Sequence, residues 1–181
     1  TLWGKTDMSN LRLINETEVT SGVASVSVTD VFTDDFDIYK ITFTDMEIQS
    51  DSYTNMRFIN SSGSVVSASS YDNAVQGLYS FTSFGELRGT GDTSIEYLNY
   101  LYPSSYDDGN GNTLYIFNPT NSSSYTFVIH QGSGMANGVG NYNFKGIAVL
   151  KETSSITGIN LFRTGNINNI KIRTYGLRVD S

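Results

Sequence analysis

Hydrophobic and polar positions alternate along most of the chain, and each alternating run ends at Gly, Asn, Asp or Ser. Period two sends successive side chains to opposite faces, so these runs predict strands that bury one face. Ala24, Val26 and Val28 alternate with Ser25 and Ser27. Tyr39, Ile41 and Phe43 alternate with Lys40, Thr42 and Thr44, after which the apolar set moves to Met46 and Ile48. A one-residue change of phase inside a strand predicts a β-bulge. Met56 and Phe58 flank Arg57, and the run Asn60-Ser61-Ser62-Gly63-Ser64 predicts a hairpin turn into Val65 and Val66. Tyr79, Phe81 and Phe84 predict another short strand.

Residues 86–112 are the least regular part, with Gly89, Gly91, Pro103 and the run Asp107-Asp108-Gly109-Asn110-Gly111-Asn112. They predict long loops around one element near Ile95 to Leu101. Beyond them come Leu114 to Phe117, then Tyr125, Phe127 and Ile129 alternating with Thr126, Val128 and His130, which puts His130 in the polar register. A Gly-rich loop is expected over 132–141, and an apolar strand follows from Tyr142 to Leu150. Ile159 and Leu161 mark another strand. Ile170 and Ile172 open the last one, which Tyr175, Leu177 and Val179 complete.

Eight or more short strands with no helical period between them predict an all-β fold, a single antiparallel β-sandwich of jelly-roll type with long middle loops. Residues 1–20 are expected to form an N-terminal arm and first strand, and 21–181 the sandwich domain. Composition agrees. Of 181 residues, 38% are hydrophobic and 13% aromatic, enough for a core, while only 16% are charged. Ser, Thr, Asn and Gly fill the deficit and favour turns and half-exposed strands over helices.

The net charge of −7 and pI near 4.5 argue against nucleic-acid and anionic-membrane partners, which need clustered Lys and Arg. Thr1 to Asn10 lacks the basic-then-apolar pattern of a secretory leader, and Thr1 fits removal of an initiator Met. With no cysteine, disulfides, thiolate metal sites and a Cys nucleophile are excluded together.

The search for catalytic chemistry yields little. His130 is the only histidine, so any triad or His-based metal site must use it, and it is expected to be an exposed or hydrogen-bonded strand residue. Paired carboxylates for glycoside hydrolysis would have to come from Asp34, Asp35 and Asp37, or from Asp45 with Glu47. The first set reads as a solvated turn and the second as an outward strand face. Asp108, Asn110 and Asn112 share the spacing of the first three ligands of an EF-hand loop, but Thr113 and Pro119 stand where Gly and Glu are required. They remain a calcium candidate beside the simpler reading as a tight turn. The expectation is a protein that is not an enzyme and uses no cofactor.

Tyr97, Tyr100, Tyr102 and Tyr106 crowd one region, and Trp3 lies near the terminus. Tyr and Trp combine large contact area with a polar handle, which suits protein or glycan contact. These five are the candidate partner- or glycan-binding residues, with a core role for one or two of the tyrosines as the alternative.

The last 70 or so residues carry a resemblance. A strand ending in Asn-Pro, Leu114 to Thr120, precedes the aromatic strand Tyr125 to His130 and the strand Gly146 to Leu150. Ile156-Thr157-Gly158-Ile159-Asn160-Leu161-Phe162, then Thr164-Gly165-Asn166-Ile167, then Lys171 to Leu177 with its Tyr175-Gly176-Leu177 ending, close the chain. This pattern resembles small virion structural proteins of tailed, largely aquatic bacteriophages, and the last segment reads as that group's closing hairpin. Residues 50–112 depart from it. The resemblance implies a particle component made in the host cytoplasm, first a capsid decoration or cement protein bound to the major capsid protein or other virion proteins. The alternative is a tail-fibre or head-fibre module that binds host-surface glycans. Either role fits a dimer or trimer, because symmetric attachment multiplies weak contacts.

Overall fold

A computed structural model describes residues 10–102, 110–135 and 140–177. Among them eleven strands, all paired antiparallel, form a nearly closed sandwich. They are β1 (Leu11–Val19), β2 (Val23–Val28), β3 (Ile38–Ile48), β4 (Ser52–Asn60), β5 (Tyr71–Tyr79), β6 (Gly85–Asp92), β7 (Ile95–Leu101), β8 (Gly111–Phe117), β9 (Thr126–Met135), β10 (Asn141–Leu150) and β11 (Ile156–Leu177). Of the expected N-terminal arm, β1 begins at Leu11, and residues 1–9 lie outside the described set.

The organising element is β11. β1 and β2 run in succession along one of its edges, from Leu11 opposite Leu177 to Val28 opposite Ile159. β3 and β4 run along the other edge, from Ile38 opposite Leu177 to Asn60 opposite Ile156. All three paths break at one level, between β1 and β2, between β3 and β4, and between Phe162 and Ile167 of β11. Gly165 has φ of 79° there, a conformation open to glycine without strain. The Arg163 guanidinium donates to the carbonyls of Ser50 and Ser52 at 3.0 and 2.9 Å, and both serine hydroxyls donate to the Thr164 carbonyl. This corner folds the ribbon so that two sheets face each other. One is β6-β5-β10-β9-β8-β3 continued by the second half of β11 and β1. The other is β7-β4 continued by the first half of β11 and β2.

Three sequence expectations change accordingly. The closing hairpin is absent: 156–177 is one strand, because the Thr-Gly-Asn step bends together with both neighbours and reverses neither. Phe81 and Phe84 belong to no strand; Tyr79 ends β5, and the two phenylalanines lie exposed in the connection to β6. The middle holds the predicted element as β7 and adds β6, whose Gly-rich sequence has no hydrophobic period because it is the last strand of its sheet and gains order from pairing with β5. Two other expectations are met. Asp45 has φ of 56° where the apolar phase of β3 shifts, so that Tyr39, Ile41, Phe43, Met46 and Ile48 are all buried. The Asn60 to Ser64 turn also forms. The Asn60 side-chain oxygen accepts from the Ser62 and Ser64 amides, and Gly63 has φ of 77°.

The main core lies between the sheets and includes Phe43, Phe58, Met56, Leu98, Leu114, Ile159 and Ile172. Tyr71 reaches into it, its hydroxyl accepting from the Phe58 amide and donating to the Val66 carbonyl, and burial pushes its pKa up to about 12. A second cluster of Val75, Tyr142 and Phe144 sits under Tyr53, Tyr79, Tyr97, Tyr100 and Tyr102.

Candidate functional site

The strand β9 is turned the opposite way from the sequence expectation. Thr126, Val128 and His130 are buried, whereas Phe127 and Ile129 are 51% and 44% exposed. The neighbouring β10 explains the choice. Its inward row is Tyr142, Phe144, Gly146, Ala148 and Leu150, and β9 supplies His130, Gly132 and Gly134 opposite Gly146, Phe144 and Tyr142. Small residues in β9 make room for the rings. A Cβ at Gly132 would run into the Asn112 side chain, one at Gly134 into the Tyr142 hydroxyl, and one at Gly146 into His130 Nε2. The inward register of β9 is therefore the one that fits the β10 aromatics, and the apolar residues of the other register face solvent.

Cross-strand pairing lines these residues up. Lys40, Tyr115, Ile129, Ile147, Ala74 and Arg88 are successive partners across β3, β8, β9, β10, β5 and β6. They form one rung on the outer face, directly opposite one another at side-chain contact range. The rung beside it, two residues along each strand, is Thr42, Thr113, Gln131, Lys145, Gln76 and Glu86. The rung on the far side carries Phe117, Phe127 and Val149. A groove of about 1200 Å³ runs across these strands and is lined by members of both the mixed rung and the polar rung, with Phe84 at its β6 end. Ile147 is 61% and Phe84 68% exposed. Glu86 is the carboxylate of this lining.

The sequence-predicted residues lie elsewhere. Tyr97, Tyr100 and Tyr102 are half-buried in the second cluster. Tyr53 packs edge-on against Tyr97 and Tyr100 at 4.8 and 4.7 Å between ring centres, and Tyr100 against Tyr102 at 5.0 Å. Burial raises the Tyr53, Tyr97 and Tyr100 pKa values, with the neighbouring Glu96 adding to it at Tyr97 and Asp51 at Tyr100. Tyr97 takes a φ of 63° where β4 and β7 shift register, and its amide donates to the Asn55 side chain. The Tyr142 hydroxyl donates to the Tyr100 carbonyl, tying this cluster to β10. None of the three lines the groove. Trp3 and Tyr106 lie outside the described residues.

Of the calcium candidates, the structure describes Asn110 and Asn112. Asn110 and Asn112 are buried, and their amides donate inward, to the Met46 carbonyl at 2.7 Å and the Leu98 carbonyl at 3.2 Å. Asn110 ties the start of β8 to its neighbour β3, and Asn112 ties β8 to β7 of the opposite layer; Asp108 lies outside the described residues. Among the described residues no group of three His, Cys, Asp or Glu side chains is placed to hold a metal ion. The expectation for His130 is corrected. It is 3% exposed, neither ring nitrogen has a hydrogen-bond partner among the described residues, and burial lowers its pKa to about 4. Asp34, Asp35, Asp37, Asp45 and Glu47 are exposed and none lines the groove.

Sequence reasoning missed Ile129, Ile147, Tyr115 and the cations beside them, because it assigned every apolar row to the core. The signal lay in the opposing row: Gly132 and Gly134 follow His130 at period two, and Gly146 stands opposite His130 on β10, a pattern that leaves room for rings from across the sandwich.

No protein-family model matches the sequence, and no curated protein matches it significantly. Among solved structures, a galectin of Caenorhabditis elegans is similar with a TM-score of 0.35 and 9% identity, covering 90% of this chain and 96% of that one. Congerin II with lactose and MES bound has a TM-score of 0.22 and 12% identity, covering 81% and 99%. A human SPRY domain has a TM-score of 0.23 and 7% identity, covering 92% and 99%.

Proposed function

We propose that this β-sandwich is a non-catalytic binding module of a bacteriophage particle, carried on a tail or head fibre, that engages host-surface glycan through its outer-face groove. The observation that carries the reading is the solvent-facing row Tyr115, Ile129 and Ile147 set beside Gln131, Lys145 and Gln76. Contiguous exposed apolar surface rimmed by polar groups marks a ligand site, since leaving it in water is otherwise unfavourable. Amide, hydroxyl and ammonium groups next to flat apolar surface suit a sugar, which offers hydroxyls on its rim and C–H bonds on its faces. Hydrolysis of a glycosidic bond requires two carboxyl groups astride it, and this lining offers Glu86. The phage setting comes from the sequence resemblance of the C-terminal third.

The test is binding of the labelled protein to host cells and to an oligosaccharide array, wild type against an Ile129→Asp and Ile147→Asp double variant. Both side chains face solvent, so the variant keeps its thermal midpoint and its strand content while losing binding. Binding that survives the double variant would remove the groove from the account.

A second reading, capsid decoration, is favoured by one observation. Leu11 and Leu13 of β1 are exposed and continue the apolar rungs to the far edge of the sheet, opposite Leu177 and Tyr175. An edge strand with exposed leucines invites a protein neighbour. Co-sedimentation with empty shells, lost on Leu13→Asp and kept in the groove variant, would favour that setting. Dimers or trimers would serve either role through avidity.

A further inference from the structure

We propose that the groove selects acidic oligosaccharides, with Lys40, Arg88 and Lys145 as the groups that read the acid. The inference rests on the glycan reading above and names the ligand class for the same site. Its basis is how the chain distributes its cations. Among the described residues, Lys151, Lys171 and Arg173 are paired with Asp72, Glu18 and Glu16. Arg57 donates to Thr93, with its guanidinium 4.3 Å from the Phe162 ring, and Arg163 holds the corner. Four described cations have no hydrogen bond or ion pair, Arg12, Lys40, Arg88 and Lys145, and three of those four line this groove. A chain of net charge −7 thus concentrates its uncommitted positive charge on one concave surface. Such a surface focuses anions into the groove against the overall repulsion.

Placement matters as much as number. Lys40 and Arg88 stand at the two ends of the part of one rung that spans β3 to β6, and Lys145 stands between them on β10, one rung over. The intervals are three strands and two strands, so at strand spacings near 4.8 Å the cations are roughly 14 and 10 Å apart along the groove. A chain lying across the strands would meet a cation at intervals, with Ile129, Ile147 and Tyr115 between them. That matches a polymer carrying acid groups on some of its rings and apolar ring faces between. An acidic peptide fits less well. Peptides add to an open sheet edge or sink anchor side chains into deep pockets, whereas the groove is open and crosses the faces of strands that, β6 at its end excepted, are already paired on both sides. Gln76, Gln131 and Thr113 each donate and accept, as ring hydroxyls require.

The experiment is calorimetric titration of the whole chain with a panel of uronic-acid oligosaccharides and with the same oligosaccharides after carboxyl reduction. It is run at low and at physiological salt, alongside a polyglutamate peptide. The comparison proteins are the triple variant K40Q/R88Q/K145Q and the Ile129→Asp and Ile147→Asp double variant. The expected result is binding of acidic forms at least about tenfold tighter than their reduced counterparts, the scale of one good charge-assisted hydrogen bond. The preference weakens with salt and disappears in the triple variant, whose thermal midpoint is unchanged. Equal binding of reduced and acidic forms, abolished by the double variant, would overturn the acid selectivity while leaving the glycan reading in place. Tighter binding of polyglutamate than of any saccharide would overturn both, and so would an absence of saccharide binding across the panel.

Discussion

β3 and β9 lie two strands apart in one sheet and have the same kind of sequence, yet they bury opposite registers. In β3 the aromatic and aliphatic row, Tyr39, Ile41 and Phe43, faces the core, and Lys40 and Thr42 face out. In β9 the corresponding row, Phe127 and Ile129, faces solvent, and the core receives Thr126, Val128 and His130. Alternation fixes which residues share a face and says nothing about which face is inside. That is decided by what stands opposite. The inward row of β3 joins the main core, whereas β10, the partner of β9, meets the rings of β4 and β7, with Tyr53 6.1 Å from Phe144 between ring centres. Rings from the facing layer occupy the space that a second large row would need. The inverted strand buries polar groups without partners, at Thr126 and His130, and exposes apolar ones. A violation of local pattern of this kind is expected at functional surfaces.

The largest effects should separate the two strands. Phe43→Ala in β3 is expected to cost roughly 3–5 kcal/mol by deleting a buried ring. Ile129→Ser in β9 should move stability by less than about 0.5 kcal/mol, as for an exposed substitution. Chemical denaturation of the two variants checks this, and a comparable loss in both would erase the contrast.

His130 gives the next effect. Its folded pKa of about 4 lies below the ordinary value near 6.5, so between those values the unfolded chain binds a proton that the folded chain refuses. Stability from this group is therefore complete above the unfolded pKa and is lost as pH falls toward 4. The total is on the order of 3 kcal/mol. Urea midpoints measured from pH 7 to pH 4 should fall, and His130→Leu should flatten this part of the profile.

Smaller is the steric fit between His130 and Gly146. Gly146→Ala places a methyl against the imidazole and should cost about 1–3 kcal/mol through overpacking. In a His130→Ala background most of that loss should vanish, which a double-mutant cycle measures. The smallest effect is expected at the exposed Glu16–Arg173 pair on the β1 edge. Arg173→Gln should leave the thermal midpoint unchanged within error, because exposed ion pairs contribute little.

Much of the fold was legible for physical reasons that act locally. The β3 bulge shows in the phase change at Asp45, and the turn at Asn60 to Ser64 shows in residues that suit positive φ and side-chain capping. What was not legible depends on distant partners. Thr164-Gly165-Asn166 has the composition of a hairpin turn and becomes a bend because β2 and β3 hold both sides of Ile167. β6 has no apolar period to detect. The tyrosine-rich stretch pointed to ligand contact, and the structure uses Tyr97 and Tyr100 to cap the second cluster. The groove itself was hidden by the assumption that an apolar row is a core row.

The orientation of β9 is the claim on which the groove depends, and the absence of cysteine from the chain allows a direct test. Single variants Ile129→Cys and His130→Cys, adjacent in sequence, can be compared by their rates of alkylation in the folded state. Fast labelling at position 129, with protection at position 130 until the protein unfolds, is the predicted result. Protection at 129 with fast labelling at 130 would contradict it, returning the aromatic row to the core and removing the proposed binding face.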